Sequence, residues 1–193
     1  RKARLPQPAV EAGPGMRAIE RRGLPANEEA ERFVLGSVLL DGNRFGELAL
    51  SVELEDFSLE SHRRIWTAMC EVAGRGMTVD VVTLPDELMR TGQLESVGGL
   101  TYLSGLVALM PYLANLADYC SILREKKILR DVIHMARSIE ESAASGQDSA
   151  SGLLGRAEVM VRALGMQTVR SSAFLSPKEI IQAAGNLDGY LAQ

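Results

Sequence analysis

The chain has 193 residues, 46% hydrophobic and 24% charged with only 5% aromatic, enough for a sizeable aliphatic core in one domain or a domain with an appendage. No run approaches the ~18 consecutive apolar residues of a membrane span, and the N-terminus lacks the apolar core of a signal peptide, which reads as a cytoplasmic chain with no membrane partner. The net charge of −4 hides an asymmetry: residues 1 to 25 carry six Arg/Lys against two Glu, while residues 26 to 193 carry 15 basic against 23 acidic side chains, an acidic body that argues against broad nucleic-acid binding.

Residues 1 to 23 mix Pro6, Pro8 and Pro14 with Gly13, Gly15 and Gly23 and show no apolar period, so they read as a disordered, basic tail. The start at Arg1 rather than Met points to a fragment. Order is expected from Leu24, with Asn27 capping a helix that has Glu28, Glu29 and Glu31 in its first turn and Ala30, Phe33, Val34, Ser37 and Val38 on its buried face. Asp41-Gly42-Asn43 ends it. A short helical piece over residues 45 to 50 leads to Asp56-Phe57. Ser58 is then placed to cap a helix burying Leu59, His62, Ile65, Trp66, Met69 and Val72.

Gly74-Arg75-Gly76 stops that helix, and Asp80 and Thr83 offer caps for a short one containing Pro85 and ending at Arg90-Thr91-Gly92. Val97-Gly98-Gly99 opens another, with Leu100, Leu103, Leu106, Val107 and Met110 as its stripe. Val79, Val81 and Val82 are too few to make a strand, so the head, residues 24 to 112, reads as all-α.

Residues 113 to 144 contain neither Pro nor Gly and repeat apolar residues at helical spacing: Leu116, Cys120 and Leu123, then Leu129, Val132, Ile133, Ala136 and Ile139. A helix of that length is ~48 Å long at 1.5 Å per residue, more than a small domain spans. The polar band Arg124, Glu125, Lys126, Lys127, Arg130, Asp131 assigns its first half to the head and its second half to a further helix. Asp148-Ser149 caps that further helix, whose Leu153, Ala157, Met160, Val161 and Leu164 precede a stop at Gly165. The two fold back as an antiparallel hairpin over residues 113 to 165. With one apolar seam and little else to bury, the hairpin is expected to pair with another copy through those five residues. Residues 166 to 193 read as a linker holding a short helix that starts at Ser176-Pro177 and carries Ile180, Ile181 and Ala184, suited to docking on another subunit or domain.

No catalytic constellation emerges. His62 and His134 lie in segments that nothing in the sequence brings together, and Cys70 and Cys120 are isolated, reduced thiols without metal-ligand spacing. There is no Gly-Lys pair for a phosphate-binding loop, and Gly98-Gly99 is a helix entry. From the residues alone the chain is an all-α, non-catalytic, self-associating interaction domain without a cofactor.

The motifs then accumulate. Leu24-Pro25-x-Asn27-x-Glu29-Ala30-Glu31 is followed by Val34-Leu35-Gly36, Asp56-Phe57, His62-x-x-Ile65 and Gly76-x-x-Val79-Asp80-x-x-Thr83-Leu84. Gly92-x-Leu94-x-x-Val97-Gly98-Gly99-x-x-Tyr102-Leu103-x-x-Leu106, then Asn115, Tyr119, Lys126 and Arg130, continue in the same order. Over residues 24 to 165 this resembles the N-terminal domain of bacterial replicative DNA helicases of the DnaB family. The resemblance implies an all-helical head plus helical hairpin, dimers that assemble three to a hexameric collar, and docking of primase and a helicase loader within the primosome during DNA replication. It also implies a hydrolase parent whose ATPase half, with ATP, Mg and the contacts to single-stranded DNA, is absent from this chain, so no catalytic residue carries over. Cys120 departs from the family's usual Ala. The alternative from a different class is a stand-alone helical adaptor or regulator that docks on a helicase; a Gly-Lys-Thr loop downstream of Gln193 would separate the two.

Overall fold

A computed structural model describes residues 23–108, 116–146 and 148–172, with side chains described through residue 166. Every regular element among them is helical: α1 (Glu28–Leu40), α2 (Phe45–Ser51), α3 (Glu60–Gly74), α4 (Thr83–Arg90), α5 (Gly99–Ala108), α6 (Leu116–Ser145) and α7 (Ala150–Ser172), with 3-10 turns at Gly42–Arg44, Leu54–Asp56 and Glu95–Val97. The chain divides into two compact units, one reaching Lys127 and the other starting at Ile128, so α6 belongs to both.

Local chemistry sets most helix ends. Asn27 Oδ1 accepts the Ala30 N–H at 3.0 Å at the start of α1. Asp80 Oδ1 accepts the Val82 and Thr83 N–H groups at 2.8 Å while the Asp80 N–H donates to Thr83 Oγ1 at 3.0 Å, a reciprocal cap for α4. Gly76, at φ +75°, closes α3 after the Arg75 turn.

In the first unit α3 packs on α1 and α4, and α1 on α5. Val34, Leu35, Phe57, Ile65, Met69, Leu84 and Leu88 are fully buried between them. Trp66 is 3% exposed, with its ring 5.5 Å from Phe57 and 5.4 Å from Phe45. Leu123, 1% exposed, brings the first part of α6 into the same core, with Leu116 and Cys120 partly buried against it. Arg124 donates to the Ser51 carbonyl and Lys127 Nζ lies 3.8 Å from Glu53 Oε2. Two members of the polar band thus clip the long helix to the segment after α2.

Three sequence expectations shift. Ser58 does not cap α3: its hydroxyl is taken by Glu31, and Leu59 stands at the cap position with no side-chain bond of its own. Leu100 leaves the α5 stripe and is 57% exposed, because Leu103 and Leu106 already fill the contact; Met110 lies outside the described residues. Gly165 does not end α7, which runs on to Ser172. A glycine inside a helix costs only about 1 kcal/mol relative to Ala, and no proline follows to force a stop there.

Candidate docking faces

The second unit contains the residues expected to self-associate. Gly146, at φ +63°, ends α6, and Ser149 Oγ accepts the Gly152 N–H at 3.2 Å to start α7. Arg156 reaches back to Asp148. The helices face each other across a groove of about 420 Å³, where Asp131, His134, Met135 and Ser138 of α6 meet Met160, Ala163 and Leu164 of α7. With only residues 146–149 between the two helices, they fold back on each other as an antiparallel hairpin.

Of the five residues expected to pair with another copy, Leu153, Ala157, Met160 and Leu164 recur at offsets of four, seven and eleven and are half-buried, while Val161 is exposed. The apolar surface left over lies elsewhere on α7. Leu154 (71% exposed) and Val161 (55%) are seven residues apart and share one flank; Val159 (68%) and Met166 (65%), again seven apart, share another. On α6, Leu129 and Val132 are each 41% exposed. Ile180, Ile181 and Ala184 lie outside the described residues, as does the basic tail through residue 22.

The head contains a polar hub that spacing alone does not predict. Glu31, 1% exposed, sits on the inner face of α1. Its Oε1 accepts the Ser58 N–H at 2.7 Å and the Ser58 hydroxyl, and its Oε2 lies 2.6 Å from His62 Nδ1. The carboxylate of one helix therefore fastens the segment that leads into another, holding Ser58 just ahead of the first turn of α3. His62 is fully buried, and its Nε2 lies 2.5 Å from the Tyr102 hydroxyl of α5. Burial alone would raise the Glu31 carboxyl, but hydrogen bonds from His62 and Ser58 outweigh it and hold it below its usual range. The chain Glu31–His62–Tyr102 ties α1, α3 and α5 together with every buried polar atom engaged.

Tyr102 also reaches the surface. Gly98, at φ +97°, lets the chain turn into α5, and a Cβ there would come within 2.8 Å of the Tyr102 Cβ. The Tyr102 ring and Phe33 line a cleft of about 730 Å³ between α1 and α5, rimmed by Glu28, Glu29 and Arg32. The Arg32 guanidinium lies 5.6 Å above the Tyr102 ring, and Phe33 stacks on Tyr119 at 4.8 Å.

Elsewhere in the head, Glu87 is 3% exposed and accepts from Arg90 at 2.7 and 2.9 Å and from Arg75; those bonds, Arg90's first, pull its carboxyl down to about 2. Burial pushes the Asp56 carboxyl up, although it accepts the Glu53 N–H at 2.7 Å. Burial likewise pushes the Cys120 thiol up to about 11, with the Asp56 charge adding to the effect, so it is a packed thiol rather than a nucleophile. No group of three His, Cys, Asp or Glu among the described residues is arranged to hold a metal ion.

A family model described as the DnaB-like helicase N terminal domain matches residues 23–125, more than half of the chain. The chain belongs to this family. Two curated relatives are similar along most of it: the replicative DNA helicase DnaB of Geobacillus stearothermophilus, 37% identical over 165 residues, and the replicative DNA helicase DnaC of Bacillus subtilis (strain 168), 36% identical over 168. Each match covers 85% of this chain and 36% of the relative, so the chain spans about a third of their length. The crystal structure of the N-terminal domain of DnaB helicase from Mycobacterium tuberculosis superposes with a TM-score of 0.67 at 29% identity, covering 72% of this chain and 99% of that one. A DnaB-like replicative helicase studied for its interactions with primase superposes at 0.59 and 22% identity, covering 84% of this chain and 35% of that one, a likeness of fold.

As a DnaB-like N-terminal domain the chain is all-helical in its described residues. No described helix is long and apolar enough to cross a membrane. The hub residues were present in the motifs as Glu31, His62 and Tyr102, but only as separate fragments; their one shared signal was polar residues in otherwise apolar stripes. His134 lines the hairpin groove beside Asp131, in the other unit from His62.

Proposed function

We propose that this domain is the assembly and docking module of a replicative DNA helicase, pairing with a second copy through the hairpin, building toward a hexameric collar of three such pairs, and offering that collar to primase and a helicase loader. ATP-dependent unwinding, with ATP and Mg, belongs to the remainder of a longer parent protein acting in the cytoplasm at replication initiation and elongation. The observation that carries this reading is the apolar surplus of α7: Leu154, Val159, Val161 and Met166 are all more than half exposed. Among the described residues no third helix covers them, and exposed apolar rows of this kind are what pairing surfaces are made of. The names of the relatives, replicative helicases, and the primase contacts of a neighbour with the same fold support the assignment.

Light scattering on the wild-type chain and on Leu154→Asp/Val161→Asp tests the pairing. Both positions are exposed, so the hairpin should keep its helicity while the molar mass falls to that of one chain. An unchanged mass would move the contact elsewhere. Titration at about 150 mM salt, where charges are screened over roughly 8 Å, should give binding to the C-terminal domain of the cognate primase and none at micromolar concentration to single-stranded DNA. The reverse pattern would refute the docking role.

A further inference from the structure

The cleft between α1 and α5 has no place in the pairing of hairpins. Its floor is aromatic, Phe33 and Tyr102, and its rim carries Glu28 and Glu29, which are exposed and have no partner among the described residues. The helix dipole accounts for carboxylates at the start of α1, but not for a cleft floored by two half-buried rings behind them. Arg32 covers the Tyr102 ring with its guanidinium, which leaves Glu28 and Glu29 as the acidic groups of the rim. A Cβ at Gly105 would meet nothing within 4 Å, which keeps one wall open.

We propose that this cleft is a docking site for the chain's own basic N-terminal arm, residues 1–22, with Arg or Lys side chains between Glu28 and Glu29 and an apolar side chain against Phe33 and Tyr102. Charge complementarity is the first support: the arm holds Arg1, Lys2, Arg4, Arg17, Arg21 and Arg22 against two Glu, and the remainder of the chain is acidic. Composition is the second, since Met16 and Ile19 alternate with Arg17 and Arg21 and match an apolar floor under an acidic rim. Covalent reach is the third. Only residues 23 to 27 separate the arm from Glu28, a span of at most about 17 Å at 3.3 to 3.6 Å per residue, so the arm meets the cleft at a local concentration of millimolar order.

The test uses a labelled peptide of residues 1–22 and the chain shortened to begin at Gly23, where the family match also begins. Fluorescence anisotropy should show the peptide binding the shortened chain, and binding at least about tenfold more weakly to the full chain, whose own arm competes. Gly105→Phe, which fills the open wall, and Glu28→Lys/Glu29→Lys, which reverses the rim, should each weaken binding to the shortened chain at least about tenfold. Far-UV circular dichroism checks that each variant is folded; if Gly105→Phe is not, the rim variant, at two exposed positions, decides. The proposal is overturned if the shortened chain does not bind the peptide, if the rim variant binds it equally well, or if a scrambled peptide of the same composition binds as tightly.

Discussion

The head and the hairpin are built from the same kind of helix and reach opposite outcomes. In the head, five helices and the first part of α6 enclose a core in which Val34, Phe57, Ile65, Met69 and Leu84 have no exposure. In the hairpin, among the described residues, no hydrophobic side chain from Ile128 onward is buried, and the best-covered positions of α7 are only half-buried. The difference is geometric. A helix surrounded by others buries several faces, whereas one with a single neighbour buries one stripe, whatever the quality of its sequence pattern. The lesson is that the head carries a closed core of its own, while the hairpin buries one stripe and leaves apolar rows exposed.

The largest blow to that contrast falls on the head. Trp66→Ala removes a side chain wedged between Phe45 and Phe57 and should cost about 3 to 5 kcal/mol in urea unfolding, with the wild-type emission blue-shifted. A water-exposed emission maximum in the folded wild type would refute the placement. His62→Leu should cost nearly as much, about 3 to 5 kcal/mol, because it strands the Glu31 carboxylate in the interior. Glu31→Leu/His62→Leu should cost clearly less than the two single changes added together; strict additivity in that cycle would mean the two do not act as a pair.

Acid separates the hub from the surface. A carboxyl held below its usual value in the folded state stabilises the fold above the unfolded value, and that stability is lost as pH falls through the folded one. Glu31 and Glu87 are of this kind, Glu87 being held at about 2 from an ordinary 4.5. Asp56 is raised from its ordinary 3.8, so its contribution has the opposite sign and eases unfolding as pH rises through its folded value. Urea midpoints should therefore fall from pH 4.5 toward pH 2, and Glu87→Gln should flatten that fall. A wild-type profile flat over this window would count against both carboxylate assignments.

The smallest effect belongs to the hairpin. Gly165 lies within α7, so Gly165→Ala should raise stability by about 0.5 to 1 kcal/mol in a thermal melt of the whole chain. Destabilisation would mean that the helix ends at Gly165 after all.

What the sequence determined by itself is what repeats or resolves within a few residues. The Asn27, Asp80/Thr83 and Ser149 caps, the stops at Gly76, Gly92 and Gly146 though not the one expected at Gly165, the hairpin and the division of the long helix at its polar band could all be read from spacing, because helix faces and caps are set by neighbours three or four positions away. The motif order likewise carried the family. Only the tertiary structure decided that Glu31 takes up Ser58 ahead of α3, that His62 spans the 31 residues back to Glu31 and the 40 forward to Tyr102, and that Arg124 reaches Ser51 across 73. Those pairings depend on how helices cross, and an apolar period specifies which face turns inward without specifying which polar group it will meet there. The same limit applies to α7: its pattern places Leu153, Ala157, Met160 and Leu164 on one side, but a single partner helix covers only that side and leaves Leu154 and Val161 to another surface.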